Sequence, residues 1–247
     1  MRTTTGYFSL LLLAGCITPA MADTSLIGFV PSNVATAFTE LATAYGKSHP
    51  GISIRILVAG TKTINDNLDR GLADDFVVLG DRFARTNHNL IAPLPIVSSH
   101  TVIVIGPAGK TKIRTPADLA ADGVRLGGGI AGSGTAYLAE QTLARLTEEY
   151  GADFASKARA NVVLLRPQNT QLIEALKAGT IDAAIMFPED AAGGGFDTVD
   201  LGERSVTITE EIAIVKGSAN AAGVRAFIAF IRSPAGAAIL RSNKLIP

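Results

Sequence analysis

Two periods of apolar spacing take turns along this chain. Leu26 to Val30 is an apolar run of strand length, and Val34, Ala37, Phe38, Leu41, Ala42 and Tyr45 then recur at the spacing of one helix face. Ile52 to Val58 alternates with period two and predicts a strand. Ile64 and Leu68 mark the inner face of a short helix from Thr61 to Arg70, with Gly71 as its stop. Phe76 to Leu79 and Thr101 to Ile105 are rich in β-branched residues and read as strands, and Thr115-Pro116-Ala117-Asp118 has the cap and early proline of a helix start. The second half repeats this logic. Val124 to Leu126 predicts a short strand ending in a turn at Gly127-Gly128-Gly129, before a helix with Ala139, Leu143, Leu146 and Tyr150 on one face. Val162 to Leu165 predicts a strand, Asn169-Thr170 opens a helix carrying Leu172, Ile173 and Leu176, and Ala183 to Phe187 predicts another strand. After a loop at Gly193 to Gly195 come a strand at Glu211 to Val215 and two helices, one over Val224 to Ile231 and one begun by Ser233-Pro234. Strands alternating with helices in this way predict an α/β architecture.

One local device recurs: a strand, a tight turn of small hydroxyl or amide residues, then a helix N-terminus. It occurs at Ser32-Asn33, at Gly60-Thr61, at Ser133-Gly134-Thr135 and at Asn169-Thr170. A helix N-terminus carries backbone N–H groups without partners and a partial positive charge, so it can hold an anion. Four such ends facing one cleft would surround a small anion without any Lys or Arg. Ser, Thr and Asn are also the ordinary capping residues, so each turn alone reads equally as a plain helix start.

Composition narrows the classes. The 247 residues can bury a sizeable core as one large domain or two modest ones. With 22 basic and 22 acidic residues there is no electrostatic footprint for nucleic acid. Arg2, the apolar stretch Phe8 to Ile17 and Ala20-Met21-Ala22 form a secretory signal over residues 1–22, with Asp23 opening the mature chain. Leu13-Ala14-Gly15-Cys16 also fits a lipoprotein cleavage box, which would make Cys16 a lipid anchor. Cys16 is the sole cysteine, so the mature chain has no disulfide, thiolate metal site or cysteine nucleophile.

Other motifs carry less. Gly127-x-Gly129-x-x-Gly132 fits the dinucleotide fingerprint, but it lies late in the chain, and Val162 to Leu165 ends in Arg166-Pro167 rather than in a carboxylate for a ribose. His49, His88 and His100 show no metal-ligand spacing. Asp75 reads as a brace for the turn into Phe76. Glu189-Asp190 lies just past a strand end, where ligands bind in α/β folds. No nucleophile–base pair is visible, so the chain reads as a binding protein and not an enzyme, with no cofactor.

The order and spacing of several segments resemble the molybdate-binding protein family of ABC transporters, within the type II periplasmic solute-binding proteins. They are the Ser32-Asn33 turn with the helix through Ala37-Phe38-Thr39-Glu40-Leu41-Ala42; Gly60-Thr61-Lys62-Thr63; Gly71 to Asp81; Asn161-Val162-Val163 through Asp182 to Ala191; Ile212 to Val215; Ala226-Phe227-Ile228; Ser233-Pro234; and Leu245-Ile246-Pro247. The resemblance implies two α/β lobes, each a mostly parallel sheet flanked by helices, with a ligand cleft between them. Residues 23–102 and 212–247 would form lobe one and 103–211 lobe two, joined by crossover strands near Thr101–Ile105 and Glu211–Val215.

It implies a periplasmic monomer that hands a small oxyanion to ABC permease subunits. Contacts would fall on Ser32 or Asn33, on Gly60 and Thr61, near Ser133 and Thr135, and near Asn169 or Thr170. The family's ligand tyrosine lands on Phe187, which has no hydroxyl. A cleft with donors only suits a fully ionised dianion, so molybdate or tungstate is expected first and sulfate second. Phosphate, which needs an acceptor for its proton, is expected weakest. An exported dinucleotide-binding enzyme using the Gly127–Gly132 turn is the rival.

Overall fold

In the computed structural model, residues 24–247 are described. The expected signal segment and the lipid-anchor alternative at Cys16 lie outside them. The first sheet has the order β2-β1-β3-β10-β4, formed by β1 (Thr24–Val30), β2 (Ile52–Val58), β3 (Phe76–Gly80), β4 (Leu90–His100) and β10 (Thr207–Val215). The second has the order β7-β6-β8-β5-β9, formed by β5 (Val102–Ile105), β6 (Leu126–Gly129), β7 (Val162–Arg166), β8 (Ala183–Met186) and β9 (Asp197–Asp200). The two sheets share one plan. A parallel trio (β2-β1-β3 or β7-β6-β8) is extended by a strand running the other way (β10 or β5).

The central strands β3, β5 and β8 are runs of apolar residues and glycine because both of their faces are covered. In β3, Phe76 and Val78 face α1 (Ser32–Ser48), α8 (Ala221–Ile231) and α9 (Pro234–Ser242), while Val77 and Leu79 join Ile64 and Leu68 of α2 (Thr61–Asp69) on the other side. Ile212 and Ile214 against Ala213 and Val215 repeat that split in β10. In the second sheet, Ile103, Ile105 and Ile185 pack against α4 (Gly134–Tyr150) and α5 (Phe154–Ala160). Val102, Val104 and Met186 pack against Leu172 and Leu176 of α6 (Asn169–Lys177).

The chain passes between the sheets twice, at Thr101 and over residues 201–206. The two passages are tied together. Thr101 N–H donates to the Val206 carbonyl (3.0 Å), Val206 N–H donates to Thr101 Oγ1 (2.9 Å), and Ser205 Oγ donates to the Thr101 carbonyl (2.9 Å). This corrects the expected boundaries: Val102 already belongs to the second sheet, and residues 207–211 stand in the first. The reason lies in β10, whose whole length pairs with β4, from Thr207 opposite His100 to Val215 opposite Leu90.

Two further differences concern local reading. Gly127-Gly128-Gly129 is not a turn but strand β6, paired with residues 164–166 of β7. Its glycines reflect packing, since Ile181 and Leu172 fill the room a side chain at Gly127 would need. β4 escaped the pattern because Pro93 and Pro95 break its run, as prolines usually do away from a sheet edge, and β4 is an edge strand.

Candidate functional site

Four helices start at the cleft between the sheets: α1 after Pro31, α2 after Gly60, α4 after Ser133 and α6 after Gln168. Their first turns line one cavity of about 40 Å³. A single water occupies about 10–15 Å³ on this kind of measure, so the space suits a handful of heavy atoms and not a nucleotide. All nine residues singled out from the sequence line it: Ser32, Asn33, Gly60, Thr61, Ser133, Thr135, Asn169, Thr170 and Phe187. No lysine or arginine does.

The plain capping explanation holds at only one of the four turns. Ser133 Oγ accepts from Ala136 N–H (3.1 Å) and caps its own helix. The starts of α1, α2 and α6 have no side-chain cap. Several polar side chains around the cavity are engaged with one another or with carboxyls instead. Ser32 Oγ donates to Asp190 Oδ1 (3.1 Å), Asn169 Nδ2 to Asp190 Oδ2 (2.8 Å), Asn33 Nδ2 to Glu210 Oε1 (3.1 Å) and Thr135 Oγ1 to Asn169 Oδ1 (2.5 Å). Three helix ends thus keep first-turn N–H groups free of side-chain partners around one small space. Thr170 is the most exposed of the nine.

The lobes touch here. Ser32 belongs to the first sheet's side, and Asp190 lies on α7 (Pro188–Gly194), a short helix of the second. A second tie runs from Ser99 Oγ on β4 to Glu189 Oε2 on α7 (2.8 Å). The contact is close enough to require glycine. A Cβ on Gly60 would lie 2.3 Å from the Pro167 carbonyl oxygen, and one on Gly134 would lie 2.8 Å from Thr61 Oγ1.

Two buried carboxyls flank the cavity. Asp190 is pushed up to about 6, chiefly by burial, against the hydrogen bonds from Asn169, Ser32 and Phe187 N–H. Glu210, on β10, lines the cavity itself and is pushed up to about 7, again chiefly by burial, with Asp81, Glu189 and Asp190 adding to the rise and Asn33 opposing it. Glu210 Oε2 has no hydrogen-bond partner. The sequence reading missed Glu210. Its signal was the charged pair Glu210-Glu211 inside the buried half of the strand Thr207–Val215. The premise that the cleft contains donors alone therefore fails, and with it the reason for ranking phosphate last.

The remaining candidates fall away from the cleft. Asp75 accepts from Ile27 N–H (2.8 Å) and Ser218 Oγ (2.7 Å), which is a structural brace. His49 stacks on Tyr45. Among the described residues no group of His, Cys, Asp and Glu could hold a metal ion. Of the glycine fingerprint, Gly127 and Gly129 lie within strand β6 and only Gly132 lies in the turn before α4, so the three do not share one glycine-rich loop.

A profile of the family described as bacterial extracellular solute-binding protein matches residues 26–243. The chain belongs to that family. This is a family of binding proteins, in keeping with a chain that is not an enzyme. A curated relative, the molybdate-binding protein ModA of Mycobacterium tuberculosis, is 24% identical over 260 residues, covering 96% of this chain and 94% of its own. Among solved structures, the periplasmic molybdate-binding protein of Azotobacter vinelandii superposes with a TM-score of 0.72 at 16% identity, covering 90% of this chain and 99% of its own. The sulfate-binding protein SubI of Mycobacterium tuberculosis superposes with a TM-score of 0.69 at 14% identity, covering 90% and 86%. These two likenesses carry the two-lobed fold.

Proposed function

We propose that this chain is the periplasmic receptor of an ABC transporter for a small tetrahedral oxyanion, molybdate or tungstate foremost. It acts as a monomer that closes its two lobes over one ligand and presents it to the permease. The observation that carries this reading is the cavity: four helix N-termini around about 40 Å³, with no cation in its lining. Oriented N–H dipoles in a site shielded from water hold an anion well without a counter-charge. The mycobacterial relative and the Azotobacter neighbour are named for molybdate, which favours that ion. Sulfate is the second reading, favoured by the likeness to SubI.

A thermal-shift screen across molybdate, tungstate, sulfate, phosphate and chromate tests this. A ligand at a thousandfold excess over its Kd stabilises by about 4 kcal/mol. For a chain of this size that is a shift of roughly 8–16 °C. Molybdate or tungstate is expected to give the largest shift. No shift with any of the five would end the reading.

A further inference from the structure

Given that function, Glu210 has one carboxyl oxygen to spare. Its carboxyl is 3% exposed and lines the cavity. Oε1 accepts from Asn33, while Oε2 is shielded from water and has no partner. An unsatisfied buried polar atom costs about 1–3 kcal/mol; Glu211 Oε2 also lacks a partner, but of the two only Glu210 lines the cavity, where a ligand can supply one. The charged groups facing Glu210 are all acidic: Asp81 on α3 (Asp81–Thr86), and Glu189 and Asp190 on α7. Arg85 of α3 is engaged by the neighbouring Glu211. Of the strands beside β10, β3 has no ionisable residue and β4 has only His100, at its far end opposite Thr207. On α8, which packs on the same strand, Arg225 is exposed.

A dianion entering this cavity would meet an ionised carboxylate at contact distance, with no cation in the lining to offset the repulsion. One hydrogen between the two oxygens removes the conflict and satisfies Oε2 at once. We propose that Glu210 is a specificity-determining residue, and that the oxyanion binds together with one proton held between Glu210 Oε2 and a ligand oxygen. A permanent dianion such as molybdate requires that proton on Glu210, so its binding takes one up from solution whenever Glu210 is ionised beforehand. Monohydrogen phosphate brings its own. Rising pH therefore favours phosphate relative to molybdate. The elevated proton affinity of Glu210 sets this exchange near neutrality.

The test is titration calorimetry of the full mature protein with sodium molybdate, and in parallel with phosphate. It is run at pH 8 in two buffers of different ionisation enthalpy, then from pH 6 to 8.5. Expected for molybdate is an uptake approaching one proton per ligand at pH 8. Its affinity should fall about tenfold per pH unit above neutrality, one proton per binding event. Phosphate should show little uptake at pH 8. In Glu210→Gln, an isosteric neutral donor, molybdate binding should persist with a flat pH profile and no uptake. Molybdate binding to the natural protein without proton uptake would overturn this inference and leave the proposed function standing. Uptake that persists in Glu210→Gln would overturn the assignment to Glu210. Failure of every oxyanion to bind is the separate result that ends the function itself.

Discussion

Gly60→Ala probes lobe closure: Gly60 lines the cavity, but the Cβ it would gain is directed across the cleft. Gly60 has φ −75° and ψ 156°, a conformation that alanine adopts freely, so the substitution strains no backbone within its own lobe. What it meets is across the cleft: the added Cβ would lie 2.3 Å from the Pro167 carbonyl oxygen. An ordinary contact needs about 3.5 Å, so α2 and the Pro167 turn must separate by roughly 1 Å. Both partners are backbone at element ends, and neither can rotate away. Overpacking of this kind costs about 1–3 kcal/mol. The cost falls on the closed state alone, so it converts to a loss of oxyanion affinity of about 5- to 150-fold. The ligand-free melting temperature should change little. Gly134→Ala is the internal comparison. Its Cβ meets Thr61 Oγ1 at 2.8 Å, the end of a side chain that can turn, so its effect through closure should be smaller. Calorimetry with molybdate measures the affinities, and small-angle scattering with and without ligand measures closure. Gly60→Ala that binds within twofold of the natural protein and compacts normally would refute the closure argument.

The other predictions follow from the same contacts. Thr61→Ala should weaken molybdate binding by about 2- to 10-fold, the worth of one hydrogen bond, whereas Thr170→Ala should cost less because Thr170 is exposed; equal losses in calorimetry would contradict this. Asp190 and Glu210 have folded-state pKa values raised above their unfolded values, so they contribute stability that is fully present below pH 4 and is lost as pH rises through about 6 and 7. Urea unfolding of the ligand-free protein should therefore show stability falling between pH 5 and 7, with a slope of up to about 1.4 kcal/mol per pH unit for each group; a rise over that window would be the wrong sign. Asp182 behaves oppositely. Burial raises its pKa, but this is outweighed by hydrogen bonds from Arg125 and Lys112, which leave it lowered. Asp182→Ala should destabilise by about 1–3 kcal/mol in urea, because it strips the acceptor from Arg125 N–H (2.8 Å), and should leave molybdate affinity unchanged.

The cleft was legible in the sequence where local chemistry and function coincide. A strand followed by Ser-Asn, Gly-Thr, Ser-Gly-Thr or Asn-Thr and then an amphipathic face announces a helix start whatever the fold. The α/β topology then brings four such starts to one place, because each follows the carboxyl end of a parallel strand. What sequence could not decide is which way those side chains turn. Ser32, Asn33 and Asn169 read equally as caps and as site residues, and only the structure shows them spent on Asp190 and Glu210 instead of on their own helices. Glu210 was hidden for a different reason. Alternation in β10 predicts burial for its position, and a buried glutamate in an apolar strand looks like a fault in the pattern unless something pairs with it. Asn33 reaches it from a residue 177 positions away, a distance no local period can register. The same holds for Asp190, whose partners Ser32 and Asn169 come from different lobes. Helix starts are written locally and were found. The carboxyls behind them are defined by partners across the fold, and they change the chemistry of the cleft from one made only of donors to one in which a proton counts as part of the ligand.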